Sequence, residues 1–502
     1  MKIISANQIR ALDKVTMKNK NISSIELMEH AGQELYTEIY KKHAAAKTFA
    51  ICCGNGNNGG DGLVLARLLH QQGCRVIIFC SSGKEKKSDE NLKNFLSLEK
   101  LGVPILRFEE IKPIKDVIWV DALFGTGLNQ SLAGKWREIV NKINNLEGKK
   151  IAIDVPSGLM ADKIGATEDV VFQADETLTI GQPKLTFFFH ETGKYVGDFK
   201  IIDIGLDENY LNFLPSDFYF SSTKEIKKIY SPRERFSHKG TYGHALIIAG
   251  SYGKIGAAVL STQAALRAGA GLVSNYTPRC GYDILQISAP EAMTLTDVNQ
   301  NFLTQFPAVE NFKSIGVGPG LGQEKTTQRA FFGWLEQTNF EKKNLILDAD
   351  ALNFLSLKKN YLKFLPSNSI LTPHPKEFER LAGKTTNSLE RINLAREFAQ
   401  ELNIILVLKD AYTAVISPSG EVFFNSTGNS ALSTGGSGDV LTGIITGLCA
   451  QGYSTLVASK LGVWLHGKTP TLARSKASEE SFTASTILAY LGLAFNQLNS
   501  KD

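Results

Sequence analysis

Two glycine-rich segments, each carrying one aspartate and each opening an apolar stretch, are the parts of this 502-residue chain best suited to chemistry. The first is GNGNNGGDGLVLARLL, Gly54 to Leu69, and the second is TGGSGDVLTGIITGL, Thr434 to Leu448. Glycine lets backbone N–H groups crowd toward one point, and a following helix adds the positive end of its dipole, so each segment suits a phosphate. A carboxylate beside such a cradle is unfavourable unless it takes a proton or meets a cation, which marks Asp61 and Asp439 as working groups. The simpler alternative is that each only caps its helix. In the second segment Gly435, Gly436 and Gly438 leave donors free for a phosphoryl group in transfer, and Asp439 is placed to take a hydroxyl proton. Two cradles predict two active sites.

The elements that must position them read as α/β throughout. After amphipathic helices in residues 1–45, strands and helices alternate: TFAICC, RVIIFC, DVIWVDAL, KKIAIDVP and ADETLTI are the strands, with GLVLARLLHQQG and NLKNFLSLEKLG as helices. Short, fully apolar strands separated by helices predict a parallel sheet covered on both faces. Ligands bind beyond the carboxyl ends of such strands. GNGNNGGDG, DALFGTGL and DVPSGL all fall there and are expected to meet at one cleft. The rhythm lapses over residues 205–235 and resumes with HALIIAGS, so domains at 1–215 and 231–502 are expected, with a linker at 216–230. In the second domain GSYGKIGAA (250–258), GVGPGLG (316–322), LTPHPKEFE (371–379) and TGGSGDV (434–440) are expected to converge.

Composition narrows the class. At 43% hydrophobic and 21% charged the chain is globular, and its net charge of +5 is mild for the length. With no basic stripe interleaved with aromatics, neither nucleic acid nor a membrane surface is expected as a partner. The six cysteines form no CxxC pair, which predicts buried free thiols in a reducing compartment. Without a signal-like N-terminus or a membrane-length apolar run, the expected location is cytoplasmic.

TGGSGDVLTGIITGLCAQG resembles the anion-hole signature of the ribokinase-like superfamily. GSYGKIGAAVLSTQAALRAGAGLV, GVGPGLG, LDADALNFL and LTPHPKEFERL narrow the resemblance to the ADP-dependent NAD(P)H-hydrate dehydratases, over roughly residues 230–495. The resemblance implies repair of nicotinamide cofactors hydrated at C6: the hydroxyl is phosphorylated from ADP with Mg2+, and the ring nitrogen expels phosphate. Asp439 is then the base on that hydroxyl, and the amides near Gly438 hold the phosphoryl group. His374 contacts the hydrate, unless it only closes its proline-flanked turn. Ala257 and Gly320 line the cofactor. Lys409, Asp410, Ala411, Tyr412 and Thr413 meet the nucleotide. Asp410 departs from the family's usual glycine, and Ser430–Ala431 replaces a common Pro-Gly pair.

The first half has an oxygen-rich cleft without histidine or cysteine, which points to a hard cation and not to a transition metal. Asn57 to Asp61, Asp121 to Ser131 and Asp154 to Gly158, with NQIRALDK, ELMEHAG and ADETLTIGQPKLTF, resemble the NAD(P)H-hydrate epimerases over roughly residues 1–215. The resemblance implies K+ held by Asn58, Asp121 and Ser157. It implies cofactor binding by Asn57, Asn58, Gly59, Gly60 and Asp61 and by the loop of Gly125, Thr126, Gly127, Leu128, Asn129, Gln130 and Ser131. Asp154 is the candidate acid–base, or else it only caps the turn before Pro156. The fold expected is a Rossmann-like αβα sandwich followed by a ribokinase-like domain. Together the halves predict one bifunctional, homo-oligomeric repair enzyme acting on R and S NAD(P)H hydrates with ADP or ATP. A ribokinase-like kinase with a stable phosphoester product, and a non-catalytic N-terminal binding module, remain the alternatives.

Overall fold

A computed structural model of the chain describes residues 1–46, 48–81 and 85–499. Two compact units divide it, Lys2–Phe218 and Tyr219–Asp502 with Met1. The last three residues of the expected 231–502 domain lie outside the described residues.

Among its described residues the first unit has a seven-stranded sheet: β1 (Thr48–Cys53), β2 (Arg75–Cys80), β3 (Ile105–Arg107), β4 (Val117–Ala122), β5 (Lys149–Ile153), β6 (Glu176–Ile180) and β7 (Asp198–Ile202). They form one parallel sheet in the order β3-β2-β1-β4-β5-β6-β7. β1 and β4 are buried at every residue, because helices cover both faces. Their alternation shows it: Phe49, Ile51 and Cys53 belong to the core on one face, Ala50 and Cys52 to the core on the other. The five strands expected in this half are present. β3 and β7 were not expected, being an edge strand with little burial and one whose polar residues alternate outward. The strand order reverses between β1 and β4, which makes their carboxyl ends the switch-point crevice of the sheet. Helices Ala6–Lys20 and Ser24–His43 each begin with a reciprocal capping box, Ser5 with Gln8 and Ser23 with Glu26.

The second unit, from His244 on, has nine strands in one sheet: β8 (His244–Ile248), β9 (Leu272–Thr277), β10 (Met293–Thr296), β11 (Ser314–Val317), β12 (Asn344–Leu347), β13 (Ile370–Leu371), β14 (Ile405–Leu408), β15 (Ala414–Ile416) and β16 (Val422–Asn425). Their order is β16-β15-β14-β13-β12-β11-β8-β9-β10. Pairing is parallel from β10 through β14 and antiparallel at β14–β15 and β15–β16. Helix Ser437–Ala450 is buried along nearly its whole length. It lies close on helix Ile255–Arg267 because Gly443 faces Ser261 and Ala264, where a Cβ would stand 2.6 Å from that of Ala264.

Residues 216–230, expected as linker, include a strand (Phe218–Ser221) and a helix (Thr223–Ile229). All six cysteines are free; Cys74 and Cys280 are only partly buried, against the expectation of full burial. Among the described residues no helix is long and apolar enough to cross a membrane.

Candidate active sites

Four strand ends of the first unit converge. The segment after β1 is not an open loop as its glycines suggest: helix Asn57–Gln71 begins inside it, with Gly56 as N-cap. Asn57, Asn58, Gly59, Gly60 and Asp61 are therefore its first turns. The glycines supply space more than backbone freedom. A Cβ on Gly62 would stand 2.5 Å from that of Ala122, and one on Gly60 would stand 2.5 Å from Cε of Met28. Asp61 lies beyond the cap position, so it does not cap the helix.

Asp121, near the end of β4, is fully buried. It accepts from the Ser157 amide and hydroxyl, both at 2.7 Å, and from the Leu123 amide at 3.1 Å. Burial pushes its carboxyl up to about 6, against the pull of the Ser157 bonds. The Phe124 amide donates to Ser157 Oγ at 2.9 Å, which pins the start of the 125–131 loop. Both side-chain amide atoms of Asn58 are buried without a hydrogen-bond partner. A Cβ on Gly125 would meet Asn58 at 3.3 Å and Asp154 Oδ2 at 2.8 Å, so these side chains flank one point. An unsatisfied buried amide oxygen that flanks the same point as the Asp154 carboxylate suits a hard cation. No group of three or more histidine, cysteine or carboxylate side chains suited to a metal occurs among the described residues.

Asp154 stands just past β5 in the left-handed region, φ +64, a strained position for a non-glycine residue. Its carboxylate accepts from the Thr126 amide at 3.1 Å and the Ile180 amide at 3.3 Å. It also pairs with Lys184 Nζ at 2.6 Å. Asp154 therefore ties the 125–131 loop to the end of β6, which is more than capping the turn before Pro156. Gly127 and Asn129 to Ser131 are exposed beside it, and the Leu128 amide closes a turn on Gly125 at 3.2 Å. Lys184 was missed as a site residue although it lies in the quoted QPKL. Its lone positive charge, 1% exposed after a buried strand, was the available signal.

In the second unit the loops after β8, β11, β12, β13 and β14 face the start of helix Ser437–Ala450. The TGGSGD segment follows a 3-10 turn, Ser430–Leu432, and not a strand directly. Gly436, at φ +86, is the N-cap, so Gly438 and Asp439 lie in the first turn and Asp439 is not the cap. Lys409 Nζ stands 2.8 Å from Asp348 Oδ1 and 4.0 Å from Glu377 Oε2. Thr442 Oγ1, one turn past Asp439, donates to Asp348 Oδ2 at 2.7 Å. A Cβ on Gly438 would lie 3.5 Å from Lys409 Nζ. An ammonium thus sits at a helix N-terminus, a doubly cationic corner for phosphate.

Burial, and then the Asp348 carboxylate, raise Asp439 to about 7. Burial works against the charge on Lys409, yet Asp348 and Glu377 outweigh it and hold the ammonium above its ordinary range. His374 caps helix Pro375–Ala382 in a reciprocal box with Glu377. Burial and then Lys409 lower its imidazole. The turn reading of His374 thus holds, with its ring half exposed toward the same corner. Gly320 approaches Ala257 so closely that a Cβ would stand 3.0 Å from that of Ala257. Ser251 Oγ donates to the Gly320 carbonyl at 2.8 Å, and Asp350 accepts the Gly322 amide at 2.9 Å. Asp410 takes its own neighbour's amide, Ala411 N, at 2.8 Å. Asp410 and Ala411 are exposed, and Tyr412 and Thr413 half-buried, beside Lys409. Asp348, Glu377 and Thr442 were not singled out, though they lie in LDADALNFL, LTPHPKEFE and TGGSGDVLTGIITGL respectively.

Two α/β units, each with a strand-end site of buried carboxylates beside a helix N-terminus, define an enzyme of nucleotide-like substrates. Residues 245–491 match the family model described as NAD(P)H-hydrate dehydratase, and residues 24–186 match the YjeF-related protein N-terminus. The bifunctional NAD(P)H-hydrate repair enzyme Nnr of Moorella thermoacetica is 33% identical over 100% of this chain and 98% of its own length. Its Escherichia coli counterpart is 30% identical over 97% and 92%. A crystal structure of the ADP/ATP-dependent NAD(P)H-hydrate dehydratase of Bacillus subtilis, co-crystallised with ATP/Mg2+, is 32% identical to the matched part. It covers 56% of this chain and 98% of that one, with a TM-score of 0.49. The chain belongs to the family of bifunctional NAD(P)H-hydrate repair enzymes.

Proposed function

We propose that the first unit interconverts the R and S hydrates of NADH and NADPH at C6, and that the second dehydrates the S form at the expense of ADP. The observation that carries the second assignment is the corner formed by Gly438, Lys409 and Asp439. There a phosphoryl group and a hydroxyl proton have separate, adjacent acceptors. Asp439 takes the C6 hydroxyl proton, the amides around Gly438 stabilise the phosphoryl group in flight, and Lys409 meets the nucleotide phosphates with residues 410–413. Ala257, Gly320 and His374 hold the hydrate. Magnesium enters with the nucleotide, whose phosphates supply most of its ligands; the Bacillus subtilis relative was crystallised with ATP/Mg2+.

In the first unit Asn58, Asp121 and Ser157 would hold K+, and the unpartnered Asn58 amide supports that set. The ion supplies a fixed positive charge that draws anionic cofactor oxygens to the cleft. Residues 57–61 and 125–131 bind the cofactor, and Asp154 is the acid–base group, held by Lys184. The chain acts in the cytoplasm as a homo-oligomer in this reading.

The test is recovery of NADPH absorbance from a mixture of R and S hydrates with ADP, with ATP and without nucleotide. Complete recovery that requires nucleotide supports both assignments. Recovery that stops at the S fraction refutes the N-terminal one, and a phosphoester accumulating without free phosphate refutes the C-terminal one.

A further inference from the structure

We propose that His466 is a positioning residue of the dehydration site: its Nε2–H holds the Ser437 carbonyl and thereby aims the Gly438 amide at the phosphoryl group in transfer. The proposal rests on the reading of that site given above.

His466 lies in WLHGKTP, on helix Thr455–Ala473. Val463, Trp464 and Leu465 of that helix share one core with Val440, Leu441 and Ile444 of helix Ser437–Ala450. The histidine is buried, and a buried imidazole requires a polar partner. Its partner is Ser437, itself buried: Nε2 stands 3.0 Å from the Ser437 carbonyl oxygen and 3.1 Å from Ser437 Oγ. A carbonyl only accepts, so Nε2 carries the hydrogen. Burial lowers the imidazole to about 4, against the pull of the Ser437 bond, so the ring is a neutral donor at neutral pH.

The surrounding residues fix that ring. Pro470 lacks the N–H that would bond the His466 carbonyl, and the Thr469 hydroxyl donates to it instead at 2.8 Å. Gly467 makes room for Thr427, where a Cβ would collide with Thr427 Oγ1. That hydroxyl donates to the Trp464 carbonyl at 2.9 Å. Asn425 Nδ2, at the end of β16, donates to the Thr427 carbonyl at 2.8 Å and to the Val463 carbonyl at 3.3 Å. The chain leaving β16 is thus laced to helix Thr455–Ala473 through Asn425 and Thr427, and His466 ties the TGGSGD segment to the same helix.

The consequence falls on Gly438. The peptide joining Ser437 to Gly438 is planar, with its C=O and N–H pointing in opposite directions. The helical ladder uses one lone pair of the Ser437 oxygen, and His466 takes the other from the side. With the oxygen held, the Gly438 N–H keeps one direction, out of the helix start and into the corner where a Cβ on Gly438 would lie 3.5 Å from Lys409 Nζ. The cradle has no such restraint of its own. Gly435, Gly436 and Gly438 carry no side chains, and the N-cap at Gly436 makes no side-chain bond. A donor fixed in advance stabilises developing charge without reorganising during the reaction.

The test is nucleotide-dependent dehydration of S-NADPH hydrate by the full chain and its H466Q and H466M variants. Glutamine keeps an N–H donor at similar reach, and methionine has similar size without one. H466M should lower kcat about 10- to 100-fold, with KM for hydrate and ADP changed less than about twofold. H466Q should restore most of kcat. A wild-type kcat in H466M overturns the proposal. So do equal losses in the two variants, or a loss confined to KM, since either leaves His466 only a packing part. Nitrogen NMR of the histidine-labelled wild type decides the contact even where H466M does not fold. One imidazole should stay neutral with its proton on Nε2 from about pH 5 to 8, and should be missing in H466Q. Finding His466 there as an imidazolium, or with its proton on Nδ1, overturns the proposal. If the wild type itself dehydrates no hydrate with either nucleotide, the dehydratase assignment fails, and the NMR result still decides the contact.

Discussion

Asp439 makes the most direct prediction at the scale of single residues. As the base it must be ionised, so kcat/KM for the S hydrate should rise tenfold per pH unit up to about 7 and level off above it. D439N should lower kcat by roughly 100- to 10,000-fold, measured as nucleotide-dependent recovery of NADPH absorbance. The same carboxyl is a stability group of known sign. Its folded pKa, about 7, lies above the ordinary 3.8, so its contribution to stability is present at low pH and is lost as pH rises through that window. The thermal midpoint of D439N relative to wild type should therefore climb between pH 4 and pH 7; a constant difference would refute the burial argument. Asp439, Asp154, Asn58 and Asp121 were legible in the sequence because each stands in a short motif. Lys184 and Asp348 were not, although both lie in quoted segments, because a lysine or aspartate in the loop after a strand looks like surface until its burial is known.

Elements place these groups by close approach, and glycine is what permits it. Gly443 lets helix Ser437–Ala450 lie on helix Ile255–Arg267, so G443A should cost about 1–3 kcal/mol by overpacking, read from a denaturant midpoint. Gly436 adds a backbone requirement, since it sits at φ +86 and a Cβ there would stand 2.6 Å from Leu260 Cδ1. G436A should therefore lower stability and also tilt the first turn that carries Gly438 and Asp439, reducing kcat where G443A mainly reduces stability. The strands were readable as apolar runs. The start of helix Asn57–Gln71 was not, because GNGNNGGDG signals a loop by propensity and is held helical by packing on β1 and β4.

At the scale of the whole molecule, two chemistries occupy two units, and each should fail alone. D154N should leave dehydration of S hydrate intact while consumption of a mixture stalls beyond the spontaneous rate. D439N should still equilibrate pure R hydrate, as followed by chromatographic separation of the epimers. Loss of both activities in either variant would contradict that independence. The sequence alone determined the α/β class and the two-site plan, because apolar runs, their spacing and glycine-rich turns are local signals set by side-chain burial and backbone freedom. Only the tertiary structure decided which carboxyl groups lack a cation of their own. Protonation depends on burial and on charges brought together from distant segments, such as Asp154 with Lys184, or Asp348 with Lys409. No local pattern encodes those distances.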